Sequence, residues 1–344
     1  MPGRTLDLTS ILETVAEGRT LAAEEAEAVF DSFMDGSASE IQMAGLLLGL
    51  RAKGLAPSEI AGGVRALRKA MIPVASADPS LLVDTAGTGG GAVTTFNIST
   101  AAAFVVAGAG VPVAKHGNRS FTSRSGSADV LEALGVGIEL SPERMAQVLD
   151  EAGIVFMFAP LLHPAMRHVG PVRRGLGVTT VMNILGPLTN PAGARRQVIG
   201  VADDRLLGLV ASALAELGHI RALVVHGAPG MDEVSPLGAT RVAELRDGRV
   251  HEYDVVPEEL GFTPSSPEEL AGGEPADNAA IIEGVLAGRS GAARTAVVLN
   301  AAAALLAADR ADDWAEAVQA AQWSIDDGAA REALEALRQA TGAG

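Results

Sequence analysis

The sequence has 344 residues, with 42 acidic side chains against 26 basic ones and a formal net charge of −16; at roughly 150 residues per domain, that length suggests about two domains. Apolar residues make up 48% and aromatics 3%, which excludes disorder and requires a core of Ala, Val, Leu and Gly. The acidic balance excludes a general nucleic-acid binder or a polybasic membrane binder, and the lack of cysteine excludes disulfides, thiol catalysis and Cys-ligated metal.

Residues 1–10 carry no apolar stretch of the signal-peptide kind, and no run reaches about 18 apolar residues. The nearest, 101–114, is broken by Gly108, Gly110 and Pro112. A soluble cytoplasmic protein is expected. Residues 1–72 read as helices alone. Capping boxes at Ser10–Glu13 and Ser37–Glu40, and the start Pro57-Ser58-Glu59, mark three helices, the last running to about Met71. The middle helix, through 43–50, is apolar on every side, as fits a central core helix or one shared with a second subunit.

From about residue 80 strands and helices alternate. Strands are expected at 81–83, 111–114, 154–158, 197–201 and 222–225, and helices at 99–109, 127–134, 141–152 and 205–217. Such alternation implies a mainly parallel sheet covered on both faces. Asp247-Gly248 marks a hairpin, 263–275 is linker-like, and the C-terminal third is Ala-rich and helical. The expected fold class is α/β: a large α/β domain with a mainly parallel central sheet flanked by helices, plus a small all-helical domain.

Four constellations carry chemistry. In 84–100, the run Gly87-Thr88-Gly89-Gly90-Gly91 leaves a strand, and Asn97-Ile98-Ser99-Thr100 opens a helix. Glycines allow close approach of the backbone to an anion, and a helix start offers free N–H groups, so phosphate is the natural ligand. The spacing is neither a Walker loop nor a dinucleotide fingerprint. The second, Lys115-His116-Gly117-Asn118-Arg119 with Thr122, Ser123, Gly126 and Ser127, follows the next strand and reaches the same sheet edge. The third, 163–174, holds two His and three Arg without an acid, which suits a carboxylate or else a solvated helix face. The fourth is the pair Asp232-Glu233 after a strand, suited to Mg²⁺ when phosphate oxygens are near. The windows 85–128 and 152–202 together hold eight Lys or Arg and no acid. The acidic average thus conceals two stretches fit for small anions.

These residues resemble the anthranilate phosphoribosyltransferase family of tryptophan biosynthesis. The resemblance spans nearly the whole chain. It is most specific at 87–100, 115–127, 163–191 (with Asn183-Ile184-Leu185-Gly186-Pro187-Leu188-Thr189-Asn190-Pro191) and 226–235. It implies a helical domain of residues 1–72, with a discontinuous contribution from about 165–185, beside an α/β domain of residues 73–344. It also implies a homodimer through the helical domains. Phosphoribosyl pyrophosphate would be held by Gly87, Gly90, Gly91, Thr95, Asn97, Ile98, Ser99 and Thr100. The second loop would close over it with Lys115, His116, Gly117, Asn118, Arg119, Ser120, Phe121, Thr122, Ser123 and Ser127. Ser99, Asp232 and Glu233 would bind Mg²⁺, the one cofactor implied. Gly87, Asn118 and Arg173 would contact anthranilate, with His163 along its approach path.

Two positions depart from the family pattern. Gly91 stands where Asp usually follows Gly-Thr-Gly-Gly, and Thr179 stands where Arg is frequent. The first bears on metal stoichiometry, the second on local salt bridging. The implied reaction is displacement of pyrophosphate from ribose C1 by the anthranilate amine, with no residue assigned as acid or base. The alternatives are a transferase for a related aromatic amine, a pyrimidine nucleoside phosphorylase-like enzyme, and a non-catalytic nucleic-acid-binding paralogue. The second is disfavoured because its Lys-x-Ser-Thr-Gly-Gly loop is replaced by Ala86-Gly87-Thr88-Gly89-Gly90, and the third because pI is about 4.8.

Overall fold

The computed structural model describes residues 7–120 and 124–342. Four helices come first: α1 (Leu8–Ala16), α2 (Ala23–Met34), α3 (Glu40–Lys53) and α4 (Pro57–Ala70). Two of the expected caps lie elsewhere. α1 is capped by the Asp7 carboxylate, which accepts from the Thr9 and Ser10 N–H groups. α3 is capped by Ser39, with the Gln42 side chain closing the box. Ser37 is not available for that task, because its N–H donates to Asp35 in the turn that ends α2. α2 itself was not among the three expected starts. Its first turn is closed by Glu25, which accepts from the Ala22 N–H, so no Ser, Thr, Asp or Asn announces it.

A seven-stranded sheet follows, formed by β1 (Val83–Gly87), β2 (Val113–Gly117), β3 (Ile154–Phe158), β4 (Arg196–Gly200), β5 (Arg221–Gly227), β6 (Thr240–Arg246) and β7 (Arg249–Val255). Its order is β3-β2-β1-β4-β5-β6-β7. The first five strands in that order are parallel, and β6 and β7 add an antiparallel hairpin turned by Asp247-Gly248. α5 (Ile98–Gly108) links β1 to β2, and α6 (Ser127–Ala133) and α7 (Pro142–Ala152) link β2 to β3. The chain then passes through α8 (Ala159–Leu162), α9 (Met166–Leu176) and α10 (Met182–Leu185), and returns to the far side of β1 as β4. The strand order therefore reverses at β1, and the crevice beyond its carboxyl end is where such sheets bind ligands. α11 (Leu207–Glu216) precedes β5, and α12 (Pro275–Leu286), α13 (Ala292–Ala307), α14 (Trp314–Asp326) and α15 (Ala329–Thr341) end the fold.

Side chains alternate across the sheet, as the two-residue strand repeat demands. Val198, Leu223 and Val225 join a core with α5 and α12–α15. Ile199, Ala222 and Val224 join a second core, which contains the residues of α1–α4, α9, α10 and α11. The helical domain thus continues one face of the sheet. The first core mixes alanines with Phe96, Phe104, Phe156 and Phe158. α13 is buried through its apolar length, and a Cβ on Gly108 of α5 would lie 2.5 Å from the Ala330 nitrogen of α15. The stretch 263–275 is not a free linker. Leu270 is fully buried, and its carbonyl accepts from the Phe96 N–H at 3.1 Å.

β1 and β2 run four and three residues beyond the ends of the expected strands, because polar side chains inside them are buried with partners. Asp84 is fully buried. Its carboxylate accepts from the His116 N–H of β2 (3.2 Å), from Asn190 Nδ2 (2.8 Å) and from Gln197 Nε2 of β4 (3.3 Å). Asn190 Nδ2 also donates to the Ala114 carbonyl at 2.8 Å, and Arg68 Nη2 of α4 donates to the Leu188 carbonyl at 3.0 Å. One carboxylate therefore ties β1, β2, β4 and the 183–191 segment together. Asp84→Ala should leave three buried donors without an acceptor, at about 1–3 kcal/mol each. The expected loss in urea unfolding is at least about 3 kcal/mol; a loss below about 1 kcal/mol would show that the donors re-pair without it.

Candidate active site

The glycine loop is shaped by two different demands. Gly89 and Gly90 take left-handed backbone conformations, with φ of +70° and +82°. Gly87 and Gly91 are needed for space. A Cβ on either would lie 2.6 or 2.9 Å from a carboxylate oxygen of Asp232. Asp232 Oδ2 in turn accepts from the Gly89 N–H at 2.9 Å. The loop thus already holds one anionic oxygen through its backbone, as a phosphate cradle would. The absence of a side chain at 91 is part of this packing.

Past the loop, Asn97 is fixed on both sides. Its Nδ2 donates to the Ser125 carbonyl at 3.1 Å, and its Oδ1 accepts from Ser125 Oγ at 3.2 Å and from Asn278 Nδ2 at 2.8 Å. Asn278, on α12, is a site residue that the sequence reading missed, since it stands in no motif. Ile98 and Thr100 are buried in the first turn of α5, and Thr100 Oγ1 has no partner among the described residues. Ser99 faces the next strand: Lys115 Nζ lies 3.3 Å from its Oγ.

Lys115 and His116 belong to β2 itself. The Lys115 ammonium is buried and donates to the Thr85 carbonyl at 2.6 Å. Burial pushes its pKa down, opposed by the nearby carboxylates of Asp84 and Glu233. Gly117 is required because a Cβ there would collide with Ser127 Oγ, which donates to the Asn118 carbonyl at 3.2 Å. Asn118 Oδ1 accepts from the Arg119 N–H at 2.7 Å. Arg119 is turned to α6, where it pairs with Asp129 (2.9 Å) and Glu132 (2.5 Å) and lies over the Phe158 ring. Asp129 also accepts from the Ser120 and Gly126 N–H groups. Phe121, Thr122 and Ser123 lie outside the described residues.

The third constellation reaches the same place through His163, which follows α8. Its Nε2 lies 3.2 Å from His116 Nε2. Burial pushes His163 down to about 4. Burial, and then the His163 charge, push His116 down to about 3, against the Gly186 carbonyl that faces its ring. Of the three arginines here, Arg167 and Arg174 are exposed. Arg173 is half-buried on α9 with no acidic or hydrogen-bonding partner among the described residues, and burial lowers its pKa. An unpaired, half-buried guanidinium is ready for a carboxylate.

Asp232 and Glu233 stand in the connection after β5. Burial first, and Asp232 second, push Glu233 up to about 8, against Lys115 and the Ser99 N–H. Burial likewise raises Asp232, against the Gly89 N–H. Two carboxylates buried side by side, with Lys115 near Glu233 and His226 near Asp232, suit a divalent cation. Among the described residues no group of three or more His, Cys, Asp or Glu could hold a metal alone. The pair thus fits Mg²⁺, which keeps waters and takes phosphate oxygens, and does not fit an all-protein cage.

The His116–His163 pair has a consequence for stability. Both folded values lie below the ordinary histidine value of 6.5. The unfolded chain therefore takes up these protons first as the pH falls. The stability that rests on neutral rings is complete above about pH 6.5 and is lost progressively below it. His163→Gln should flatten that decline by as much as about 1.4 kcal/mol per pH unit. Urea unfolding at pH 7 and pH 5 measures it; equal slopes in both proteins would refute the assignment.

Known proteins resemble this chain over nearly its whole length. Residues 9–71 match a glycosyl transferase family's helical bundle domain, and residues 80–331 match its a/b domain. The chain is 51% identical over 334 residues to the anthranilate phosphoribosyltransferase of Symbiobacterium thermophilum, covering 97% of this chain and 98% of that one. It is 49% identical to that of Azorhizobium caulinodans, covering 96% of each. Its fold matches the crystal structure of the Thermus thermophilus enzyme with a TM-score of 0.91 at 44% identity, covering 96% of this chain and 99% of that one. The Saccharomyces cerevisiae enzyme in complex with PRPP and Mg matches with a TM-score of 0.86 at 26% identity, covering 98% and 99%. With about half of its positions shared with these relatives over nearly their whole length, and with the fold of the solved enzymes, the chain belongs to the anthranilate phosphoribosyltransferase family.

Proposed function

We propose that the loops after β1, β2 and β5 hold one phosphoribosyl pyrophosphate, and that α9 presents anthranilate beside it. The activity of this chain is that of its family. The phosphoribosyl group of 5-phosphoribosyl 1-pyrophosphate passes to the amine of anthranilate, giving N-(5-phosphoribosyl)anthranilate and pyrophosphate, in tryptophan biosynthesis. What most supports the residue assignments is the meeting of Gly89, Ser99, Lys115, Asp232 and Glu233 at one edge.

In this reading Gly87, Gly90, Gly91, Thr95 and residues 97–100 cradle the phosphates with residues 115–123 and Ser127. Ser99, Asp232 and Glu233 hold Mg²⁺, which when bound neutralises charge on the leaving pyrophosphate. The Saccharomyces relative, solved with PRPP and Mg, supports this. As the C1–N bond forms, the C1–O bond to pyrophosphate breaks through an oxocarbenium-like state. Loop N–H groups preorganised toward the pyrophosphate favour that charge separation. Arg173 takes the anthranilate carboxylate in a two-pronged contact, with Gly87 and Asn118 against the ring and His163 along the approach path, and so aims the amine. An arylamine is neutral and nucleophilic near pH 7 and sheds its proton once bonded to C1, so no dedicated base is assigned.

The division of the chain that goes with this reading is a helical domain of residues 1–72, completed by about 165–185, beside an α/β domain of residues 73–344. The packing of Val169, Val172 and residues 181–185 with α2–α4 supports it. We also propose a homodimer through the helical domain. α3 buries Met43, Leu46, Leu47 and Leu50, yet Ile41 is 85% exposed and Leu48 42% exposed on its outer side. That second apolar face supports a helix shared between subunits. No helix among the described residues is long and apolar enough to cross a membrane; a cytoplasmic location is proposed.

Two measurements test these assignments. Arg173→Ala should raise the KM for anthranilate roughly 10- to 100-fold, as expected for a lost charged hydrogen bond of about 1.5–3 kcal/mol, and leave that for phosphoribosyl pyrophosphate unchanged. A fluorescence assay of anthranilate consumption across a Mg²⁺ titration reads both; unaltered anthranilate kinetics would remove Arg173 from the site. Light scattering should give twice the chain mass for the parent and one chain mass for Leu48→Glu. A monomeric parent would end the dimer proposal.

A further inference from the structure

A second cavity lies behind the glycine loop. It is a cleft of about 520 Å³ between the end of α3, the 179–184 segment and the connection from β4 to α11. Leu55, Ile184, Leu206 and Leu209 give it apolar walls, and Thr88 and Gly89 form the side nearest the substrate loops. Neither Lys115, Asn118 and Arg173 nor the Asp232–Glu233 pair lines it. It adjoins the site described above through Thr88 and Gly89 and shares none of those side chains with it.

Its polar groups have an uneven balance. Arg205 is neutralised by Asp203 at 2.6 Å. Arg51 has no acidic partner among the described residues. Its Nη1 donates to the carbonyl and to Oγ1 of Thr179, and its Nε and Nη2 make no hydrogen bond to the described residues. Asn183 Oδ1 accepts from the Thr180 N–H at 3.1 Å, which leaves its amide N–H groups free among the described residues. The cleft thus offers one uncompensated cation and spare donors beside an apolar wall, and no uncompensated anion. Thr179 is what keeps it open, since a longer side chain there would enter the space it lines. This position is also one of the two at which the sequence departs from the family pattern, and it is the one that Arg51 bonds to.

We propose that this cleft is a second small-molecule site, which takes a monocarboxylate with an apolar body. The carboxylate pairs with Arg51, and the body lies on Leu55, Leu206 and Leu209. One free guanidinium matches one negative charge; a phosphate dianion would leave a charge unpaired. The site does not depend on the assignment of the phosphoribosyl loops, and its test uses no turnover.

The probe is 3-phenylpropionate, followed by saturation-transfer NMR on the full chain, with 3-phenylpropionamide as its uncharged twin. Binding is expected for the acid, at least tenfold weaker for the amide and for Arg51→Gln, and abolished by Thr179→Trp, which fills the cleft without adding a charge. Arg173→Ala should leave binding intact, which separates this site from the proposed anthranilate site. Thermal melting checks that each variant folds; if Arg51→Gln does not, Thr179→Trp and the amide decide alone. No binding of the acid, equal binding of the amide, binding that survives Thr179→Trp, or binding lost in Arg173→Ala would each overturn the proposal.

Discussion

A single buried carboxylate organises the substrate edge of this protein. Asp84 cannot be left unpaired in the interior, because an unsatisfied buried charge is far costlier than any surface contact. It takes its donors from β2, β4 and the 183–191 segment. Those bonds set where β2 ends, and hence where Lys115 and His116 emerge. They also anchor the segment through which Arg68 ties the helical domain to the sheet. The distances within the site are therefore consequences of one requirement of electrostatics, met inside the core.

The same logic explains how an acidic protein builds an anion site. Its 42 acids are not spread evenly, and the windows 85–128 and 152–202 have none. Within those windows the cations differ in what they can do. Arg119 is held by two acids of α6, so it mainly shapes the second loop. Lys115 is buried against Thr85 and balances the carboxylate pair. Arg173 alone in the third constellation is both partly desolvated and unpaired among the described residues. Counting charges could not rank these three, because rank depends on partners contributed by other segments.

Much of the fold was legible in the sequence for definite reasons. The parallel sheet followed from strand–helix alternation, the hairpin from Asp247-Gly248, and α7 from Ser141 with Pro142. The failures are equally physical. α2 starts without a hydroxyl or amide cap, so its start is silent. β1 and β2 run further than apolar patterning suggests, because Asp84, Lys115 and His116 are polar residues whose partners lie far away in sequence. The 263–275 stretch looked like a linker, yet Leu270 docks against Phe96. At the candidate site, Gly89, Ser99, Lys115, Asp232 and Glu233 stood out as motifs, but Asn278, which steadies Asn97, carried no local signal.

The crossing of α5 and α15 has a consequence for how this chain can change over time. Backbone almost touches backbone at Gly108. Glycine has no rotamer to rearrange, so an added methyl there has nowhere to go except by moving a helix. Phe104, Leu334 and Leu337 in the same core have rotamers with which to absorb a change in a neighbour's size, and Gly108 has none. Drift in residue size around this core must therefore pass through its large side chains and spare the one point where two helices are pinned.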